Sequence, residues 1–176
     1  FLHVIITNMK INFKDIAYTF FGMAYVIGCI IFLALSRGLE NGRVLIWYAI
    51  IAAWGTDIFA YLVGKKFGKH KFSQVSPKKS IEGCIAGIVG AVVIALIYTF
   101  AINSILNLSY SYGLVIIATA ILSVVGQVGD FAASSIKRYV DIKDYSNLIP
   151  GHGGMLDRID SLMFLAPFAY ILLTLI

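Results

Sequence analysis

Apolar stretches of bilayer length dominate this chain and limit what it can become. A helix needs ~20 mostly apolar residues to cross the hydrocarbon core. Five stretches approach or exceed that length: Ile16–Ser36, Val44–Gly64, Ile81–Ile102, Tyr112–Phe131 and Ser161–Ile176. The opening Phe1–Ile6 reads as the end of an earlier span. Of the 176 residues, 60% are hydrophobic and only 13% are charged, against about 25% charged in ordinary soluble domains. A transmembrane β-barrel would show short alternating segments instead of long unbroken runs. The expected fold is therefore all-α, a polytopic bundle of about five transmembrane helices with polar cytoplasmic loops. Residues 1–176 read as one domain, without internal repeats, low-complexity tracts or a secretory signal pattern. Cys29 and Cys84 fall in apolar segments with no metal-ligand spacing, and read as small buried residues.

Charge asymmetry orients the bundle. Cytoplasmic loops collect Lys and Arg. The connection after the second span holds Lys65, Lys66, Lys69, Lys71, Lys78 and Lys79; the one after the fourth holds Lys137, Arg138, Lys143 and Arg158. The connection Asn103–Ser111 carries no charge, and only Arg37 and Arg43 fall on the opposite side. One orientation satisfies this pattern: N-terminus and both basic loops inside, C-terminus outside. Attraction to anionic lipid gives a second reason for the basic loops, but leaves the acids among them unexplained.

Those acids need a reason, because ionised groups at membrane depth are costly and usually functional. Asp57 lies within the second span in "WGTDIFAYLVGKKFGK", with Tyr61 one turn on. In "SPKKSIEG", Ser80 is placed to cap the third span, and Glu82 falls in its first turn. Lys78 and Lys79 lie just before that helix end, where they and the helix N-terminus suit phosphate. If the fourth helix continues past its apolar part, Asp130, Ser134 and Lys137 share one stripe. Hydroxyl and carboxylate are hard oxygen ligands suited to Mg²⁺, and Lys137 with Arg138 can take phosphate oxygens. Asp144 follows after Lys143.

The stretch "NLIPGHGG", residues 147–154, cannot be regular helix. Gly153 and Gly154 allow close backbone approach to a ligand. Asp157 and Asp160 start the fifth span, where capping accounts for Asp160 as well as function does. Asp157 is the stronger metal candidate, because Asp130 offers a second carboxylate at similar depth. His152 stays open between ligand, acid/base and loop hydrogen-bonder. Acids for a divalent metal and bases for phosphates thus gather at one membrane face. That combination suits phosphoryl or nucleotidyl transfer, with one water-soluble substrate and one lipid.

The run Ser134–Asp160, "SSIKRYVDIKDYSNLIPGHGGMLDRID", resembles the signature of phosphatidate cytidylyltransferases, the CDP-diacylglycerol synthases. The blocks around Asp57 and at Ser76–Gly83 are similar to family blocks too, with Ser80 where the family commonly has Thr. The resemblance implies a Mg²⁺-dependent nucleotidyltransferase of phospholipid biosynthesis. It would act on CTP and phosphatidate at the cytoplasmic face of a bacterial inner membrane, without nucleic acid. Asp130 and Asp157 would hold the metal, with Ser134 and Asp144 nearby and a second cation left open. Lys78, Lys79, Lys137, Arg138 and Arg158 would take phosphates. Ser76, Asp57, Glu82, Gly153 and Gly154 would complete the substrate site, and His152 would position. The chain is expected to be the C-terminal part of the family's fold. Rival expectations are a CTP-using enzyme with another acceptor, such as a CDP-archaeol synthase or polyprenol kinase, a non-catalytic truncated homologue, and an anion transporter. A homodimer is left open: Gly87, Gly90 and Ala91 could pack against a second copy or within the subunit.

Overall fold

The computed structural model describes residues 13–71, 79–146, 148 and 153–176. These form five helices: α1 (Phe13–Gly38), α2 (Gly42–Phe67), α3 (Ile81–Leu106), α4 (Tyr112–Tyr139) and α5 (Leu156–Leu173). The described residues contain no extended strand, and Lys71 and Ser80 form an isolated antiparallel bridge. The all-α bundle expected from the apolar runs is therefore the fold. Helices α1 to α4 are long and apolar enough to cross a membrane. Helix α5 has 18 residues, and its first turns carry Asp157, Arg158 and Asp160, so its apolar part is the shortest of the five.

The helices outrun their apolar runs where Lys and Arg follow. α2 continues through Lys65 and Lys66, and α4 through Lys137 and Arg138 to Tyr139. A basic side chain does not stop a helix: its stem lies on apolar surface while its head reaches polar surroundings. Chain reversals come from residues suited to them. Asn41 and Asn107 adopt left-handed conformations at φ 55° and 51°, which Asn tolerates better than most residues. Asn103 closes the α3–α4 turn, its side chain donating to the Tyr110 carbonyl and accepting from the Tyr110 N–H, both at 3.1 Å.

Helices α2 and α3 are the tightest pair. A Cβ on Gly83 would stand 2.7 Å from the Ala60 carbonyl oxygen, and one on Gly87 would stand 2.7 Å from that of Thr56. At Gly90 it would run into the Phe59 side chain. The small-residue stripe of α3 is thus used within the chain, against α2. Tyr48 and Thr99 share a 2.8 Å hydrogen bond, and Tyr98 donates to the Val44 carbonyl at 3.0 Å, fastening the far halves of the same pair. Cys29 and Cys84 are buried thiols without a disulfide.

Midway along α2, Ile51–Gly55 forms a π-helical turn, with Ala52, Ala53 and Gly55 buried. It touches α3, α4 and α5. A π-turn inserts one residue into the α-helical register and commonly marks functional sites. Asp57 lies two residues beyond it. Helix α1 packs mainly on α5 and the start of α2, and buries only Cys29 and Ser36.

Gly87→Leu should therefore destabilise the bundle by about 1–3 kcal/mol, the usual cost of overpacking. Gly28→Leu, where an added Cβ meets nothing within 4 Å, should not. Thermal unfolding in detergent compares the two.

Candidate active site

Four helices converge on one polar cavity of about 560 Å³. α2 contributes Asp57 and Tyr61, and Lys79 and Ser80 stand at the start of α3. α4 contributes Asp130 and Ser134, and α5 contributes Asp157, Arg158 and Asp160. Of the expected carboxylates, Asp57, Asp130 and Asp157 line the cavity, and Asp160 joins them. Each reaches the cavity for a local reason. The π-turn sets the register of Asp57. Ser80 caps α3, its hydroxyl accepting from the Gly83 N–H at 3.1 Å, and so fixes the backbone next to Lys79. Gln127, one turn before Asp130, donates to the Cys84 carbonyl at 3.1 Å and locks α4 to α3 beside the site.

Asp157 is the most heavily engaged acid. Its Oδ1 accepts from Lys137 Nζ at 2.8 Å, and its Oδ2 accepts from the N–H groups of Tyr145 and Gly154, each at 2.9 Å. It therefore ties α4, the connecting segment and α5 together. Lys137 also stands 3.8 Å from Asp160 and 5.2 Å from the centre of the Tyr145 ring. Burial pushes the Tyr145 phenol above its ordinary range, so it stays protonated beside these acids. Lys79 pairs with Asp130 and lies 4.9 Å from the centre of the Phe131 ring. Asp57 accepts from the Ser161 hydroxyl at 3.4 Å, and the Ser161 N–H donates to Asp160 at 2.8 Å.

The remaining predicted residues divide. Gly153 takes φ +79°, a conformation that favours glycine, and a Cβ there would stand 3.3 Å from oxygens of both Asp144 and Asp157. Asp144 thus borders the Gly153 backbone and is not among the residues that line the cavity. Gly154 directs its N–H to Asp157, an internal acceptor, so in this arrangement it serves the loop. Arg138 donates to the Ile142 carbonyl at 3.2 Å, closing the end of its own helix outside the cavity lining. Glu82 likewise stands apart: its Oε1 lies 2.6 Å from His70 Nδ1, and both its oxygens accept from the His70 N–H. That clasp joins the two ends of the α2–α3 connection. Ser76, Lys78 and His152 lie outside the described residues.

Sequence reasoning leaves Asp160 evenly between capping and function and passes over Ser161. Asp160 follows Asp157 by three residues, so the helical period was already a signal that both face one side. Nothing in sequence foretold the reach of Ser161 to Asp57, 104 positions away.

The cavity chemistry suits a hard cation: its lining is dominated by carboxylate and hydroxyl oxygens, with no imidazole and with the buried Cys84 thiol as its one sulfur. Among the described residues no group of three acidic, His or Cys side chains converges to hold an ion alone. Magnesium commonly binds through one or two carboxylates plus water and substrate phosphate, and the donors present fit that mode.

A family model described as the cytidylyltransferase family matches residues 1–176. The chain belongs to that family. It is 40% identical over 175 residues to the phosphatidate cytidylyltransferase of Bacillus subtilis (strain 168), covering 98% of this chain and 64% of that protein. It is 38% identical over 173 residues to the phosphatidate cytidylyltransferase of Staphylococcus haemolyticus (strain JCSC1435), covering 97% and 64%. The Staphylococcus aureus (strain COL) protein of the same name is also 38% identical over 173 residues. The chain thus spans 64% of the length of these relatives.

Lys137 is the counter-ion whose removal should cost most. With it gone, Asp157 and Asp160 keep their burial and lose their cation, a change typically worth 3–5 kcal/mol. Lys137→Met should show that loss in thermal unfolding, and Lys137→Met/Asp157→Asn should recover part of it.

Proposed function

We propose that this cytidylyltransferase-family chain carries the site that makes CDP-diacylglycerol from CTP and phosphatidate. The observation that carries the reading is the cavity itself: four carboxylates and the hydroxyls of Tyr61, Ser80 and Ser134, flanked by Lys79, Lys137 and Arg158, at the polar ends of membrane helices. The names of the relatives support the substrates. A phosphate oxygen of phosphatidate attacks the α-phosphorus of CTP, the bond to the β-phosphate breaks, and pyrophosphate leaves. Both reacting groups are anionic, so the site has to neutralise and align charge more than move protons.

Asp130 and Asp157 would hold Mg²⁺, with Ser134 beside Asp130 and Asp144 beside the Gly153 backbone. Bound there, the cation would offset charge on the triphosphate and on the departing pyrophosphate. Lys79 and Lys137 neutralise the acids and stand ready for phosphate oxygens. Arg158, on the cavity wall, offers the planar fork that suits phosphate. The Asp157 hydrogen bonds hold the Gly153–Gly154 segment against α4. The distribution of Lys and Arg argues for a cytoplasmic-facing site, and the bacterial relatives support an inner membrane.

The test is formation of labelled CDP-lipid from CTP and phosphatidate in detergent micelles. Product should require Mg²⁺ and should fall by at least about a hundredfold in Asp130→Asn, as for loss of a strong electrostatic contribution. Wild-type rates in that variant would refute the metal assignment. Lys79→Ala should raise KM more than it lowers kcat. Product formed equally well with EDTA would exclude the magnesium reading.

A further inference from the structure

A second cavity of about 840 Å³ lies between α1 and the polar-site end of α4, and it is almost wholly apolar. Phe21, Gly22 and Val26 form its α1 wall, and Ala133, Ile136 and Val140 the opposite one. Its volume falls in the range of small-molecule sites, about 300–1,000 Å³. It arises because α1 packs on α5 and α2 and stands off from α4. One residue belongs to both cavities. Asp160 lines the polar site and this groove alike, and Lys137 Nζ stands 3.8 Å from its carboxylate. Apolar groove and charged cavity therefore meet at a single side chain of α5, beside α1 and α4, which are long and apolar enough to cross a membrane.

We infer that the groove seats one acyl chain of the lipid acceptor while its phosphate reaches the polar cavity past Asp160. The inference rests on the proposed reaction, and it adds where the lipid lies. An acyl chain suits the groove because the lining offers it little beyond apolar contact and the rims of tyrosine rings. The acceptor's phosphate, by contrast, has to reach Lys79 and Arg158 on the far side of Asp160. A molecule that is apolar along its length and anionic at one end matches both compartments in the order the chain presents them.

Gly22 provides the probe. A Cβ added there meets no atom within 4 Å, so a larger side chain enters the groove without striking backbone. Gly22→Leu should lower kcat/KM for dioleoyl phosphatidate about tenfold, comparable to losing roughly two buried methylenes. It should leave kcat/KM for dihexanoyl phosphatidate and KM for CTP unchanged. Gly28→Leu, equally open but outside the groove lining, should behave as wild type. A variant that affects long and short lipids alike, or neither, overturns the inference.

Binding is read separately from turnover. The chain is reconstituted in phosphatidylcholine vesicles with a phosphatidate carrying a diazirine on its acyl chain, irradiated, and mapped by mass spectrometry. Labels should concentrate on α1 and the Ala133–Val140 segment, and excess dioleoyl phosphatidate should suppress them. Labels spread over all lipid-facing helices, or absent from the groove because another protein segment or a second copy covers it, overturn the inference. Competed groove labelling without CDP-lipid formation would uphold the lipid seat and refute the proposed reaction. Turnover without groove labelling would do the reverse.

Discussion

The site depends on one buried carboxylate and the cation beside it. Asp157 accepts from Lys137 across the α4–α5 interface and from two backbone N–H groups of the connecting segment. Removing water from a carboxylate costs several kcal/mol unless charge and hydrogen bonds replace it, and here all three partners do so together. Because those partners lie on α4 and in the connection, and Asp157 itself at the start of α5, satisfying Asp157 also sets the distances among these elements. Folding and charge neutralisation are thus one event at this end of the bundle.

Much of this was legible in sequence, for uneven reasons. The helices were legible because bilayer-length apolar runs leave few alternatives. Their ends were less so, since Lys65, Lys66, Lys137 and Arg138 mark the end of apolarity and not of helix. The Asp130–Ser134–Lys137 stripe was legible because spacing alone places those residues on one face. The role of Ser80 was legible as a cap, and its hydroxyl does accept from the Gly83 N–H.

Other features depend on contacts that no local pattern encodes. Glu82 reads as a capping acid or a substrate ligand, and only its approach to His70 shows that it closes the α2–α3 connection. Arg138 sits in a phosphate-like motif yet reaches a carbonyl four residues on. The glycines of α3 were equally compatible with a second copy or with α2, and the packing of Thr56, Phe59 and Ala60 decided that. Asp57 looked isolated because its partners, Ser161 and the other cavity acids, come from remote sequence. Charges gathered at one end of the bundle also fit an interfacial enzyme better than a transporter, whose ionisable groups are expected near the midplane.

The π-turn in α2 has a consequence for how this site tolerates change in chain length. Each α-helical residue turns the chain by about 100°, and the turn at Ile51–Gly55 absorbs one surplus residue between the two halves of α2. Loss of a single residue there would leave a regular helix and an unbroken apolar surface. The two halves would keep their relative register, whereas a deletion elsewhere between Tyr48 and Asp57 would swing Asp57, Tyr61 and the start of the basic segment by roughly that angle relative to Tyr48 and Leu45. A chain shortened outside the turn would keep every side chain named in the cavity and still lose one of its four walls, while one shortened within it would keep the site whole.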